Sequence, residues 1–195
     1  MKYDLHVHTS RYSPCSMETP EALCRAALER ELRGIALTEH ECWWPDRELD
    51  RLRRQFPDLV LFRGSEYTCN EGHFLVFVPE DLDDLPPYHA EVLRLIDAVH
   101  ERAGIVIWAH PFRFGEPWSE WVDHADLDGV EVSSSNMDGR TGGLARKVAD
   151  KRGFRIFHNS DTHSLDTLGA YFNEFQTDLQ STSELIQTLR HSNDG

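Results

Sequence analysis

Short runs rich in Val, Ile and Phe alternate along the chain with stretches whose apolar residues recur every three or four positions. The first pattern suits strands buried on both faces and the second amphipathic helices. Their alternation is the signature of β-α units around a largely parallel sheet. Strands are expected near Tyr3 to Val7, Gly34 to Leu37, Leu59 to Phe62, His73 to Val78, Ile105 to Ala109, Gly129 to Val132 and Phe154 to Phe157, with Tyr171 to Gln176 as an edge strand. Thr19 caps and Pro20 opens a first helix, and Pro45 opens a second. Ala90 to Arg102 makes a third, with Val92, Leu95, Ile96 and Val99 on one face and Gly104 closing it. Thr141 to Arg152 follows, stopped by Gly153, and Ser181 or Ser183 caps a last helix that buries Leu185, Ile186 and Leu189. This pattern fits an irregular barrel, and an open doubly wound sheet nearly as well. One domain over residues 1–190 is expected, with a loose tail over 191–195.

Composition narrows the class. At 195 residues the chain buries a real core without disulfides, and Cys15, Cys24, Cys42 and Cys69 form no C-x-x-C pair, so they read as reduced thiols. Charged residues make up 28%, hydrophobic ones 39%, and no apolar run reaches membrane-spanning length. The opening Met1-Lys2-Tyr3-Asp4-Leu5-His6 carries no apolar signal region, so a cytoplasmic protein that does not engage membranes is expected. A net charge of -14 disfavours a broad grip on extended nucleic acid. It leaves room for a small phosphorylated substrate, because bound metal reverses the local sign. Oligomeric state is not legible.

The eleven histidines are the compositional oddity. His89, His100, His124 and His191 fall in helices, connections or the tail and read as surface or satisfied core residues. The others fall at or beside strands. His6-Val7-His8 ends the first strand, where a period of two sends both imidazoles to one face. Asp161-Thr162-His163 repeats that geometry after the last inner strand. Thr38-Glu39-His40, Gly64-Ser65-Glu66 and Ala109-His110-Pro111 follow strands, while His73 precedes its apolar run. A lone H-x-H is a weak signal. About eight ionisable groups gathered in one mouth would cost several kcal/mol each unless paired or metal-bound, which favours a metal site.

Asp4-Leu5-His6-Val7-His8-Thr9-Ser10, Leu37-Thr38-Glu39-His40, Gly64-Ser65-Glu66, Gly72-His73, Ala109-His110-Pro111-Phe112-Arg113 and Ser160-Asp161-Thr162-His163-Ser164 together resemble the PHP (polymerase and histidinol phosphatase) domain, from Lys2 to about Gly169. The resemblance implies an α/β fold, a distorted seven-stranded (β/α)7 barrel, with two or three divalent metal ions (Zn, Mn or Fe) at its mouth. Carried over, one ion takes His6, His8, Glu66 and Asp161, and a second takes Glu66, His73 and His110. A third takes His40 and His163. Asn136 and Gly139 to Gly143 also resemble a family segment.

One departure stands out. The family supplies a further Asp or His from the loop after H-x-H, and here Arg11-Tyr12-Ser13-Pro14-Cys15-Ser16 offers only Cys15, either a soft ligand or a bystander. Arg113, Arg11 and Arg140 are candidate phosphate clamps, because a guanidinium grips two oxygens at once. Glu131 and His158 read as partners behind the ligands, and Trp43, Trp44, Trp118 and Trp121 as lining of the mouth or cover of the core.

The expected activity is hydrolysis of a small phosphate ester, a phosphomonoester or nucleotide-like compound, by a hydroxide bridging two metals, with Glu66, Asp161 and His163 as the catalytic groups. A hydrolase of amides or lactones and a non-catalytic metal-binding module are the alternatives.

Overall fold

The computed structural model describes residues 1–79, 85–115 and 119–191; the expected tail beyond His191 and Trp118 lie outside them. Strand β1 (Lys2–Val7) pairs in parallel with β2 (Gly34–Leu37), but its register breaks between Asp4 and Val7. The break re-aims side chains, as such irregularities do beside functional sites. Tyr3 and Leu5 enter the core between the sheets, while Val7 packs with residues of α1 (Pro20–Glu29) and α2 (Asp46–Gln55). Strand β3 (Val60–Arg63) extends the parallel set beyond β2.

At Gly64 the chain turns a corner. A Cβ there would sit 2.7 Å from Cε1 of Phe77, so only glycine lets the chain pass directly into β4 (Ser65–Cys69). Strand β5 (Gly72–Phe77) runs antiparallel to β4 and to β6 (Ile105–Trp108). After α3 (Val92–Glu101), β6 and α4 (Trp121–His124) come β7 (Gly129–Ser133), α5 (Gly139–Arg152), β8 (Arg155–His158), β9 (Asn173–Glu174) and α6 (Thr182–His191). The sheet orders are β3-β2-β1-β9 and β4-β5-β6-β7-β8.

The seven-stranded barrel is thereby corrected. Nine strands lie in two sheets among the described residues, and no continuous ladder closes them. Single bridges, His40 with Glu66 and Val7 with Thr162, join the sheets at the mouth. Ser65–Cys69, absent from the strands expected from sequence, is a strand whose Ser65 and Glu66 are buried. The edge strand at Tyr171 to Gln176 shrinks to Asn173–Glu174.

The helix punctuation is mostly local. Thr19 caps α1 by accepting from the Ala22 N–H at 3.2 Å, Asp138 and Thr141 form a capping box at α5, and Gly153 ends α5 at φ 73°. Ser181 caps α6, accepting from the Glu184 N–H at 3.1 Å. Gly104 does not close α3 as expected: Ala103 takes the left-handed conformation (φ 54°), and Gly104 is needed because a Cβ would lie 2.5 Å from the Phe77 carbonyl oxygen. No helix among the described residues is long and apolar enough to cross a membrane.

Candidate metal centre

Antiparallel β5 resolves the exception at His73. Its first residues lie beside the last of β6, and the Ala109 N–H donates to the His73 carbonyl at 3.0 Å, so a strand start joins the strand ends. Glu66, beginning β4, lies at the middle. Its Oε1 is 2.9 Å from His73 Nδ1 and 2.8 Å from His110 Nε2. Its Oε2 is 2.8 Å from His40 Nδ1, 3.1 Å from His8 Nε2 and 3.4 Å from His6 Nε2. Asp161 faces it, with Oδ1 3.4 Å from His6 Nε2 and 3.3 Å from His8 Nε2. A left-handed kink at Asp161 (φ 50°) lets the next residue pair with β1 through His8 N–H to Thr162 oxygen at 3.0 Å.

Four atoms test whether metal suits this cluster. His6 Nε2, His8 Nε2, Glu66 Oε2 and Asp161 Oδ1 are buried and make no hydrogen bond. Orphaned buried nitrogen and carboxylate oxygen are costly, and convergence of four such atoms is the donor set of a divalent ion. Three sets bring their ligand atoms within 4.8 Å of one another: His6, His8, Glu66 and Asp161; Glu66, His73 and His110; and His8, His40 and His163. His8 belongs to two of them. Its Nε2 faces Glu66 and Asp161, and its Nδ1 lies 3.3 Å from Ser13 Oγ.

Without metal the cluster is a network of ion pairs. Burial disfavours charge on His6, yet Asp161, Glu131 and Glu66 outweigh it and raise its pKa well above the ordinary value. Burial likewise raises the Glu66 carboxyl, and His6, His110 and His40 more than reverse it. Asp161 is lowered in the same way, against burial, chiefly by His6 and His8. Metal ions bound here would take the place of those protons, since only deprotonated ligands bind them.

Glu131 on β7 supports the centre from behind. Its Oε1 accepts from His6 Nδ1–H at 2.9 Å and from Asn159 at 2.7 Å, and its Oε2 accepts from the His110 N–H at 2.7 Å. The acceptor sets the His6 tautomer, turning the Nε2 lone pair toward the cluster. Two further carboxylates that the sequence reading missed are fully buried beside it. Asp4, pushed up to about 6 by burial, accepts from the N–H groups of Ser160, His6 and Gly169 and so ties β1 to the Asp161 segment. Glu39 accepts from Thr9 Oγ1 at 2.6 Å, Ser13 Oγ at 2.5 Å and Trp44 Nε1 at 2.9 Å, bracing the loop after β1. The signal was present in Asp4-Leu5-His6 and Glu39-His40, but a carboxylate beside a histidine looks alike whether buried or solvated.

Arg113 Nη1 lies 3.7 Å from Asp161 Oδ2 at the rim, and Asn136 donates to the same oxygen. Arg11 is bonded instead to Glu48, at 2.8 Å through Nη2, in a separate cleft with Thr19, Trp44 and Arg51. Arg140 is exposed on the first turn of α5. His158 bonds Ser133 Oγ at 3.0 Å, and His100 bonds Asp128 at 2.9 Å. Trp44 is buried, Trp43 packs on the core, and Trp121 packs on it beside Phe74 and Trp108. Cys15 is exposed, and burial of its thiol, then the charges of Glu66, Asp161 and Glu39, raise its pKa.

Residues 140–193 match the family model described as PHP-associated. An uncharacterized protein of Methanocaldococcus jannaschii is 29% identical over 158 residues, covering 74% of this chain and 89% of its own length. Among solved structures, one from Bifidobacterium adolescentis, described as a metal-dependent phosphoesterase, has TM-score 0.71 and 18% identity over 96% of both chains. A two-domain protein of Bacteroides vulgatus, described as containing a PHP-like metal-dependent phosphoesterase, has TM-score 0.67 and 21% identity over 85% of this chain; the match spans about half of that longer chain, 53%. An amidohydrolase of Chromobacterium violaceum with bound sulfate and no metal has TM-score 0.67 and 14% identity over 97% of both chains. At these identities the structural likeness is one of fold.

Proposed function

We propose that this chain, which belongs to the PHP domain family, is a metal-dependent phosphoesterase acting on a small phosphate ester. The observation that carries the reading is the convergence of four buried atoms without hydrogen bonds on His6, His8, Glu66 and Asp161. In this reading His6, His8, Glu66 and Asp161 hold one divalent ion, and Glu66, His73 and His110 hold another, with Glu66 shared. When bound, the ions (Zn, Mn or Fe) supply water activated at neutral pH and Lewis acidity toward the phosphoryl oxygens.

The protein's own residues supply the rest. Glu66 and Asp161 are the two carboxylates of the sets, so two divalent ions would leave the ligand shell itself positive, with Glu131, Glu39 and Asp4 buried behind it, and an anionic substrate would meet the ions first. Arg113 adds a guanidinium at the rim to orient a phosphoryl group. His163 donates from Nδ1 to the Asp161 carbonyl at 3.1 Å, which leaves its Nε2 lone pair available at the half-exposed edge of the centre. A third ion is held weakly. One nitrogen lone pair serves one ion, so His8 drops out of the third set once its Nε2 is taken, leaving His40 and His163. Arg11, bonded to Glu48, and Arg140, exposed on α5, are given no step in this reading. An extended nucleic acid is disfavoured by the charge of the chain.

The amidohydrolase of similar fold motivates a second reading, in which the same activated water attacks an amide or lactone. Metal-reconstituted protein assayed on phosphomonoesters, phosphodiesters, nucleotides and amides decides between them. Phosphate release that Asp161→Ala and His110→Ala each reduce by about a hundredfold or more, with the fold intact, is the expected result, since each variant removes a ligand of a different ion. Full activity in both variants, or amide cleavage alone, refutes the phosphoesterase reading. Metal binding with no turnover leaves a non-catalytic module.

A further inference from the structure

Between Arg11 and Ser16 the loop after β1 supplies no carboxylate or imidazole to the centre, but it brings one hydroxyl against two of the candidate ligands. Ser13 is fully buried, its N–H donating to the Thr9 carbonyl at 3.0 Å and its own carbonyl accepting from the Ser16 N–H at 2.9 Å. Its Oγ lies 3.3 Å from His8 Nδ1, 3.2 Å from the His40 backbone nitrogen and 2.5 Å from Glu39 Oε2. A serine hydroxyl has one proton to give and two lone pairs to receive with, so these three partners use all of it.

Glu39 decides where that proton points. Its fully buried carboxylate already faces the Thr9 N–H at 3.1 Å, the Thr9 hydroxyl at 2.6 Å and the Trp44 indole N–H at 2.9 Å, and it takes the Ser13 hydroxyl as a fourth donor. The Ser13 oxygen is then left with lone pairs alone. One receives the His40 N–H, which can only donate, and the other requires a proton on His8 Nδ1. The His8 lone pair is thereby fixed on Nε2, which lies 3.1 Å from Glu66 Oε2 and 3.3 Å from Asp161 Oδ1 and makes no hydrogen bond.

We propose that Ser13 and Glu39 are positioning residues of the metal centre: the carboxylate fixes the hydroxyl, and the hydroxyl fixes the tautomer and ring orientation of His8, so that His8 binds an ion through Nε2 alone. The proposal rests on the metal centre of the reading above and holds whichever bond is cleaved there. His6 and His8 are thus oriented by different means, His6 by a carboxylate in direct contact and His8 by a carboxylate acting through a hydroxyl. A second consequence concerns the third set. Nδ1 of His8, carrying a proton held by Ser13, has no lone pair to offer another ion.

Cadmium-loaded protein with isotopically labelled histidines tests this by NMR and by metal affinity, neither of which needs turnover. The unaltered protein is expected to show cadmium coupled to His8 Nε2 and a His8 Nδ1–H that exchanges slowly with solvent. Ser13→Ala should speed that exchange and weaken cadmium binding about tenfold or more in competition with a chelator. Glu39→Met, which removes the acceptor at similar length, should weaken binding in the same way, and adding it to Ser13→Ala should cost nothing further, because Glu39 acts through the hydroxyl. Where a variant does not fold, the spectrum of the unaltered protein still decides the tautomer. Cadmium coupled to His8 Nδ1, a Ser13→Ala protein with unchanged exchange and affinity, or losses that add in the double variant overturn the relay alone. Unaltered protein that binds neither cadmium, zinc nor manganese overturns the metal centre and this proposal with it.

Discussion

Replacing Glu131 by glutamine changes one buried carboxylate into an amide of nearly the same shape. The carboxylate accepts from three donors: His6 Nδ1–H, the His110 backbone N–H and Asn159 Nδ2–H. Glutamine has a single oxygen, so it cannot serve all three, and its NH2 meets at least one donor head-on. If the NH2 faces His6, that imidazole must accept at Nδ1 and carry its proton on Nε2, the nitrogen that faces Glu66 and Asp161. A ligand held in the wrong tautomer must give up a proton before it binds. Losing such a partner behind a metal ligand costs about 10- to 100-fold in metal affinity, or ~1.4 to 2.7 kcal/mol. Competition with a chelator of known affinity, on protein whose circular dichroism matches the unaltered chain, measures it. Glu131→Ala should weaken binding at least as much. Unchanged metal affinity in a folded Glu131→Gln protein would show that the carboxylate does not set the His6 tautomer.

Other outcomes follow from the same geometry. Dialysed protein should retain at least two transition-metal equivalents by elemental analysis; fewer than one, not restored by added Zn, Mn or Fe, refutes the centre. Cys15→Ser should change neither metal content nor activity, because the exposed thiol has a raised pKa and a protonated thiol is a poor ligand, whereas Cys15→Asp should raise occupancy of the third set. Loss of metal in Cys15→Ser would make that thiol a ligand. His100, whose pKa is raised by its hydrogen bond to Asp128, contributes stability that is fully present below the unfolded value of about 6.5 and is lost as pH rises through the higher folded value. His100→Gln should therefore cost up to ~1 kcal/mol near pH 6 and less near pH 8.5 in urea denaturation, and a pH-independent difference would remove this account.

Local chemistry determined much of this molecule. Apolar runs marked most strands because a buried strand must be apolar wherever it meets core. Thr19-Pro20 and Gly153 marked helix ends because caps depend on neighbouring backbone alone. The histidines and carboxylates later found converging were visible as H-x-H, T-E-H, S-E and D-x-H at or near strand ends. Tertiary structure decided the rest, and each case involves a polar residue whose burial depends on a partner far away in the chain. Ser65–Cys69 is missing from the expected strands because only pairing with β5 marks it as one, and His73 seems misplaced until β5 is known to run antiparallel. Asp4 and Glu39 look like ordinary surface acids until Ser160 and Ser13 are brought against them, whereas Glu131, inside an apolar strand, was legible as a partner behind the ligands. Arg11, a plausible phosphate clamp by type, was committed elsewhere by Glu48 on α2. Periodicity reports which side of an element is apolar. It says nothing of which distant backbone folds over a charge, and that contact is what separates a solvated acid from one that orients a metal ligand.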